Sequence, residues 1–225
     1  MEFFDLPDKV KVNRVVPKNA FDSFTNSKQK QLFTDVIKRI TWSYKLSENT
    51  TNLPAKEIKE IQIFYIELKQ KEKIQSLLDI LDKSIPYPII FLVNYEEEYY
   101  FSTSTKHPHP INENISVMDW TFNSEWMKEE EMKRYSLPLK KSLSNVYEGF
   151  CHQLAGEDKT STLADLVEYQ EKQATLEAAI DQLQKKMKSS RTHFKEKVEL
   201  NQELNKKKKE LEALLNSTPQ NAEKS

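Results

Sequence analysis

The residues with the clearest chemical potential are Glu67 and Lys69, which lie two positions apart at the end of an apolar segment. On an extended strand, such a pair points to the same face. In a metal-dependent nuclease of the restriction type, this glutamate binds a divalent ion and this lysine orients or stabilises the attacking water. Such enzymes also need a second acid on the preceding strand, but that segment offers Ser43 and Lys45, with no acid before Glu48. The pattern supplies half of a metal site, and a charge pair at a strand end is the simpler interpretation.

A second candidate is a surface of aromatic and basic side chains for single-stranded nucleic acid. Bases stack on aromatic rings while lysines contact the phosphates. Aromatic residues at strand spacing are nevertheless more often part of a core. The residues that could form this surface are Trp42, Tyr44, Tyr65, Tyr87, Tyr99, Tyr100 and Trp120, with Lys45, Lys69 and Lys106. Of these, Trp42, Tyr44, Lys45 and Lys69 are the binding candidates.

The histidines and the single cysteine give weaker signals. His107 and His109 have a spacing that suits one metal ion. No cysteine lies nearby, however, and the first acid after them is Glu113, so an exposed proline-rich loop is favoured. Cys151 precedes His152, and adjacent residues on a helix face different directions, so we expect a buried structural cysteine. We expect no metal ion and no cofactor.

Composition excludes several common classes of protein. The chain has 225 residues, with 34 basic and 35 acidic side chains, so its overall charge does not indicate nucleic acid. Its only two glycines are Gly149 and Gly156, and phosphate-binding loops need glycine for close backbone approach. Nucleotide-binding loops and the nucleophile elbow of many hydrolases are therefore excluded. One cysteine excludes a disulfide framework, and neither a signal peptide nor a membrane span is indicated, so we expect a cytoplasmic protein.

The first half is built around residues 58–92, which predict a strand, a helix and a second strand. The first strand is apolar on both faces, which is typical of a central strand. Apolar patterns elsewhere predict strands in residues 10–16, 40–46, 99–101 and 115–122 and a helix over 143–154, with an irregular loop at 106–110. They also predict a helix that Ser27 caps and whose apolar stripe extends to Ile37 and Ile40. We predict an α+β domain over residues 1–155, with a mixed β-sheet packed with helices, followed by a linker at 156–161.

Residues 162–216 lack glycine and proline and predict a long C-terminal α-helical coiled coil, followed by a disordered tail at 217–225. The helix can run as one rod or break into a hairpin near residues 189–190. Asn201 falls at a core position, where a buried asparagine tends to fix two strands in register, so in a homodimer it would meet itself. The residues predicted to mediate self-association are Leu166, Leu176, Ile180, Leu183, Met187, Phe194, Asn201, Leu204, Leu211 and Leu215.

Several sequence segments resemble a bacterial family known as domain of unknown function 4391. They are residues 42–47, Thr50, 52–53, 60–64 and 81–91, with shorter matches near the start of the chain. Members are often encoded beside helicases and DNA methyltransferases of restriction or phage-defence loci, so the resemblance implies an accessory role there. The family has no established catalytic residues. Lys45, Thr50, Asp82 and Lys83 are the polar residues within the shared segments, and Lys83 joins the binding candidates on that ground.

Together these patterns favour a non-enzymatic assembly subunit of a bacterial restriction-modification or phage-defence system. Its partner would be a second copy or another protein, including helicase or methyltransferase subunits, bound through the coiled coil. Two alternatives stay open: a divergent metal-dependent nuclease that uses Glu67 and Lys69, and a nucleic-acid-binding module.

Overall fold

The computed structural model describes residues 3–108, 111, 116–156, 162–188 and 194–216. The chain divides into two compact units, Met1–Glu157 and Asp158–Ser225. The predicted tail at 217–225 and nearly all of the predicted linker lie outside the described residues.

The first unit is an α+β domain built on one mixed sheet. In its described part, the strands are β1 (Lys11–Val15), β2 (Ile37–Ser47), β3 (Glu60–Leu68), β4 (Ile89–Tyr95), β5 (Glu98–Pro108), β6 (Ser116–Asn123) and the short β7 (Met127–Lys128). The helices are α1 (Ser27–Val36), α2 (Glu48–Thr51), α3 (Gln75–Ser84), α4 (Glu129–Met132) and α5 (Leu143–Ala155).

The strands lie in chain order from β1 to β6, and β7 pairs with β5. Neighbouring strands are antiparallel except β3 and β4, which run parallel. A parallel pair needs a crossover connection, and α3 supplies it. The predicted central strand is confirmed, because β3 lies between β2 and β4 and is buried on both faces.

Each face of the sheet carries its own apolar layer. On the first face, helices α1 and α3 pack on β2, β3 and β4, with Leu78 and Leu81 beside Phe64 and Phe91 in one buried cluster. On the second face, the chain start and α5 pack on β5, where the ring of Phe101 lies 5.6 Å from Phe4 and 5.4 Å from Phe150. The candidate site lies on the second face, over β1 to β4.

Two sequence predictions of local structure are wrong in detail. The helix α1 ends at Val36, so Ile37 and Ile40 belong to β2, and Asn26 rather than Ser27 caps its start. The predicted irregular loop at 106–110 is β5 strand as far as Pro108, which pairs with Ser116. A proline is tolerated there because it stands at the last position of the strand.

The second unit contains two helices, α6 (Leu163–Lys188) and α7 (Phe194–Asn216), which pack against each other. Residues from the start of α6 and the end of α7 line one groove, so the helices run antiparallel as a hairpin. Of the two arrangements that the sequence left open, the described residues thus form the hairpin. None of the described helices is long and apolar enough to cross a membrane.

Candidate ligand pocket on the sheet

A pocket of about 230 Å³ opens on the second face of the sheet, over strands β1 to β4. Its floor is apolar and includes the buried side chains of Tyr44, Ile63 and Leu92. Phe3 and Phe4, from the start of the described chain, form one wall. Polar side chains complete the lining: Asn13, Arg39, Thr41, Ser43, Tyr65 and Glu67.

Irregularities in β1 and β2 bring these polar residues to the same place. One extra residue in β2 puts Arg39, rather than Lys38, opposite Glu67. A second extra residue, Ser43, puts Tyr44 opposite Ile63. The register of β1 against β2 also shifts, between Lys11 and Arg14. Asn13, inside that shift, has a left-handed backbone with φ of 49°. Bulges of this kind re-aim side chains and are frequent beside functional sites.

Glu67 is held by cations. Both its carboxylate oxygens accept hydrogen bonds from the Arg39 guanidinium, and Lys38 Nζ lies 3.7 Å from Oε1. The Glu67 side chain is only 15% exposed, whereas Arg39 is half exposed. The carboxylate raises the pKa of Arg39. A metal-dependent nuclease would need a second acid on the strand beside Glu67. The position opposite Glu67 is instead occupied by the cation of Arg39.

Lys69 does not join Glu67. Its ammonium donates a hydrogen bond of 2.7 Å to the carbonyl of Thr34, near the end of α1, and Lys18 donates to the carbonyl of Ile37 beside it. Both lysines therefore satisfy carbonyls at the C-terminal end of a helix, where cations are favoured. Burial and the nearby charge of Lys69 lower the pKa of Lys18. Among the described residues, no group of three or more His, Cys, Asp or Glu side chains could hold a metal ion.

Tyr65 closes the pocket toward the next strand. Its hydroxyl donates a 3.0 Å hydrogen bond to Asn94 Oδ1, and its ring lies 5.8 Å from that of Phe3. Burial raises the pKa of Tyr65 to about 12, so the phenol stays protonated at neutral pH. The pocket thus combines an apolar floor with neutral polar groups and one satisfied ion pair. This lining can bind a small group with an apolar body and a polar edge, but it supplies no activated nucleophile.

The aromatic and basic residues predicted to form one binding surface are dispersed. Trp42 stacks on Phe64 on the first face of the sheet, whereas Tyr44 is buried on the second face. Lys45 forms a 2.6 Å ion pair with Glu60. The physical reason is the two-residue period of a strand, which a bulge at Ser43 interrupts between the two aromatic residues. Lys83, on α3, is exposed and takes part in none of these contacts.

A buried ion pair joins the end of α3 to β5. Lys106 Nζ lies 3.1 Å from Asp82 Oδ1, and the side chains of both residues are 1% exposed. The same ammonium donates to the carbonyls of Asp82 and Ile85, at 2.9 and 2.7 Å. Burial raises the pKa of Asp82 to about 6 and lowers that of Lys106, although the pairing opposes both shifts. The pair lies inside the domain, and it acts as a cap on α3.

Neighbouring buried groups are also bound within the protein. The Tyr147 hydroxyl donates to the carbonyl of Ser104 at 2.8 Å and lies 3.1 Å from the Thr103 hydroxyl. The buried cysteine that the sequence predicts is confirmed, and burial raises the pKa of the Cys151 thiol to about 12. His107 contacts Asp119 at 2.8 Å, while the other predicted metal candidate, His109, lies outside the described residues.

In the second unit, α6 buries the predicted seam but α7 does not follow it throughout. Leu166 and Leu183 are buried, and Leu176, Ile180 and Met187 are partly buried. In α7 the more buried positions are 197, 200, 204, 207, 210, 211 and 214. Leu204 and Leu211 therefore keep their predicted place, but Asn201 and Leu215 are exposed. Asn201 takes no part in the contact between α6 and α7, so its role in self-association stays a prediction. The side chain of Phe194 lies outside the described part of α7.

The sequence pointed to Glu67, Tyr44 and Tyr65 but not to the other residues of the pocket. Arg39 was missed because an unbroken register gives no sign that it, rather than Lys38, faces Glu67. From the sequence, Thr41 and Ser43 could be recognised only as polar residues of a strand in which apolar and polar side chains alternate. The signal that could have pointed to Asp82 and Lys106 was an acid beside the apolar, core-facing stripe of α3.

The fold and site define an α+β domain with a small polar-rimmed pocket, joined in sequence to a helical hairpin. A family profile for a domain of unknown function, DUF4391, matches residues 4–211, and the chain belongs to that family. The resemblance that the sequence segments indicated is thereby confirmed. No curated protein and no solved structure matches the chain.

Proposed function

We propose that the protein is a non-enzymatic assembly subunit that binds a second copy of itself through the helical hairpin of α6 and α7. The observation that carries the proposal is the apolar surface that the hairpin leaves in solvent. Val198 is 44% exposed and Leu215 is 48% exposed, on the same helix. Leu176 and Leu214 also line the open groove between the helices. Val198 and Leu215 lie about 25 Å apart along α7. They support the proposal as two separate apolar contact points on exposed positions of that helix.

The arrangement around Glu67 supports a binding role over catalysis. A divalent ion would have to displace Arg39 from the carboxylate and would meet the positive charge of Lys38 close by. Lys69 is engaged at the end of α1, so it is not placed to orient a water at Glu67. The nuclease alternative therefore has no support from the contacts of the two residues on which it rests.

The biological setting of the assembly is a further part of the proposal. The family resemblance implies a bacterial, cytoplasmic restriction-modification or phage-defence system, in which helicase or methyltransferase subunits are present. The dimer would then position two α+β domains on a larger DNA-processing partner. The pocket over β1 to β4 would be available for a small group from that partner or its substrate.

Solution mass tests the proposal. Light scattering on the full chain should give a dimer, whereas a chain that ends at Ala155, before the hairpin, should give a monomer. A monomeric full chain at every concentration would refute self-association. For the nuclease alternative, cleavage of DNA should be assayed with Mg²⁺ or Mn²⁺. Activity in the parent that disappears on Glu67→Ala would show that the protein is an enzyme and contradict the proposal.

A further inference from the structure

We infer that two copies of the chain pair through one exposed face of α7, with the two α7 helices antiparallel. This inference rests on the proposed self-association and specifies its surface and direction. We call the surface the α7 flank. It consists of Val198, Asn201, Asn205, Lys208, Glu212 and Leu215, all of which are exposed.

The α7 flank has the spacing of a helix-pairing seam. Its residues follow each other at intervals of three and four, which keeps them on one face of a helix. Each flank residue comes one position after a residue that packs toward α6, so the flank is turned by about 100° from that contact. A helix in a four-helix bundle contacts two neighbours in this manner. The flank is thus placed for a second hairpin to pack beside the first.

The side chains of the α7 flank complement each other when the partner helix runs in the opposite direction. Antiparallel pairing about the middle of the flank puts Val198 against Leu215 of the second copy. It puts Asn201 against Glu212, where an amide can donate to a carboxylate, and Asn205 against Lys208, where an ammonium can donate to an amide oxygen. Each of these pairs occurs twice in the dimer, and none of them joins two like charges. The two Lys208 side chains lie on either side of the dyad, about 4.5 Å apart along the axis.

Parallel pairing would not be complementary. It would put Lys208 against Lys208 and Glu212 against Glu212, and like charges at such a contact repel. The pairing of Asn201 with itself, which the sequence suggested for a homodimer, belongs to this parallel arrangement. The exposed position of Asn201, and the charges of Lys208 and Glu212 further along the flank, therefore favour its pairing with Glu212 of the second copy.

Cysteine crosslinking of the full chain tests the direction of pairing. Under mild oxidation, chains with Val198→Cys mixed with chains carrying Leu215→Cys should form a crosslinked dimer. Asn201→Cys alone should not, because the two residues would be about 16 Å apart along the axis, beyond the reach of a disulfide. The parent is the control, since its Cys151 is buried. Crosslinking of Asn201→Cys with itself, without crosslinking of the mixed pair, would overturn the inference.

Charge substitution gives an independent readout that does not depend on thiol geometry. Asn201→Lys should tighten dimerisation about threefold, because it forms an ion pair with Glu212 twice per dimer. Asn201→Glu should weaken dimerisation by a similar factor. Glu203→Lys, on the side of α7 opposite the flank, is the matched control and should change little. A dimer that none of these changes affects would refute the α7 flank but leave the proposed function intact. A chain that stays monomeric would refute both.

Discussion

At the scale of residues, the most consequential group is the buried pair of Asp82 and Lys106. Both side chains are 1% exposed, and Asp82 Oδ2 has no hydrogen-bond partner in the described structure. Removing two charges from water costs several kcal/mol, and pairing recovers that cost only when the geometry satisfies the remaining groups. The Lys106 ammonium also donates to two carbonyls at the end of α3, so it is satisfied. The Asp82 carboxylate is satisfied only in part, because Oδ1 alone accepts a hydrogen bond from Lys106.

The incomplete satisfaction of Asp82 predicts an unusual dependence of stability on pH. Because burial raises its pKa to about 6 from 3.8, the folded chain binds more protons than the unfolded chain between those values. The contribution of Asp82 to the free energy of unfolding is therefore most favourable below pH 4. This contribution falls by about 3 kcal/mol as the pH rises to about 6. Denaturant unfolding at several pH values should show this decline in the parent but not in Asp82→Asn. Parallel profiles for the two proteins would contradict the assignment.

Removal of the lysine tests the same pair from the other side. Lys106→Met should lower the free energy of unfolding by about 3–5 kcal/mol near neutral pH, because it leaves a buried carboxylate without its partner. Lys83→Met is the matched control: Lys83 follows Asp82 on α3 but is exposed, so its replacement should change stability by less than about 0.5 kcal/mol. Urea unfolding measures both. Equal losses for the two variants would mean that the ion pair has no special role.

At the scale of elements, the residue that caps α1 lies one position before the serine that the sequence favours. The Asn26 side-chain oxygen accepts a hydrogen bond from the backbone N–H of Gln29, and the Gln29 side-chain oxygen accepts one from the backbone N–H of Asn26, both at 2.9 Å. This reciprocal cap satisfies two groups that the helix itself leaves without partners. Ser27 is also a good capping residue, and a propensity scale alone does not distinguish the two.

The cap at Asn26 can be measured by substitution. Asn26→Ala should lower the free energy of unfolding by about 1 kcal/mol, since it removes the acceptor for the Gln29 N–H. Asn26→Asp keeps an acceptor oxygen in the same place and should retain most of the stability. Ser27→Ala is the control at the position that the sequence favoured. If Ser27→Ala costs more than Asn26→Ala, then Ser27 is the true cap.

The strands and helices of the core were predictable because each buries a periodic apolar face. The order of the strands was not, because pairing depends on contacts between distant segments. The pocket was also beyond prediction, since it depends on extra residues in β2 and on the shift in β1, which change the face of every later side chain. In α7, positions 200 and 214 are more buried than the predicted Asn201 and Leu215, so the buried side of the helix is turned from the predicted one.

At the scale of the whole molecule, the two units of the chain differ in the features that they carry. The α+β domain carries a buried core and a pocket whose acid is already held by Arg39 and Lys38. The hairpin keeps exposed apolar side chains at Val198 and Leu215. On the proposed function, the hairpin is the part that holds the α+β domain in place.

The most direct test of this account is the mass of the full chain in solution over a range of concentrations. The chain has a mass of 26.5 kDa, and we expect sedimentation equilibrium to show a reversible rise toward twice that value. Val198→Glu combined with Leu215→Glu should return the mass to that of the monomer while the helical circular dichroism is retained. A parent that remains at the monomer mass throughout would contradict self-association through the hairpin.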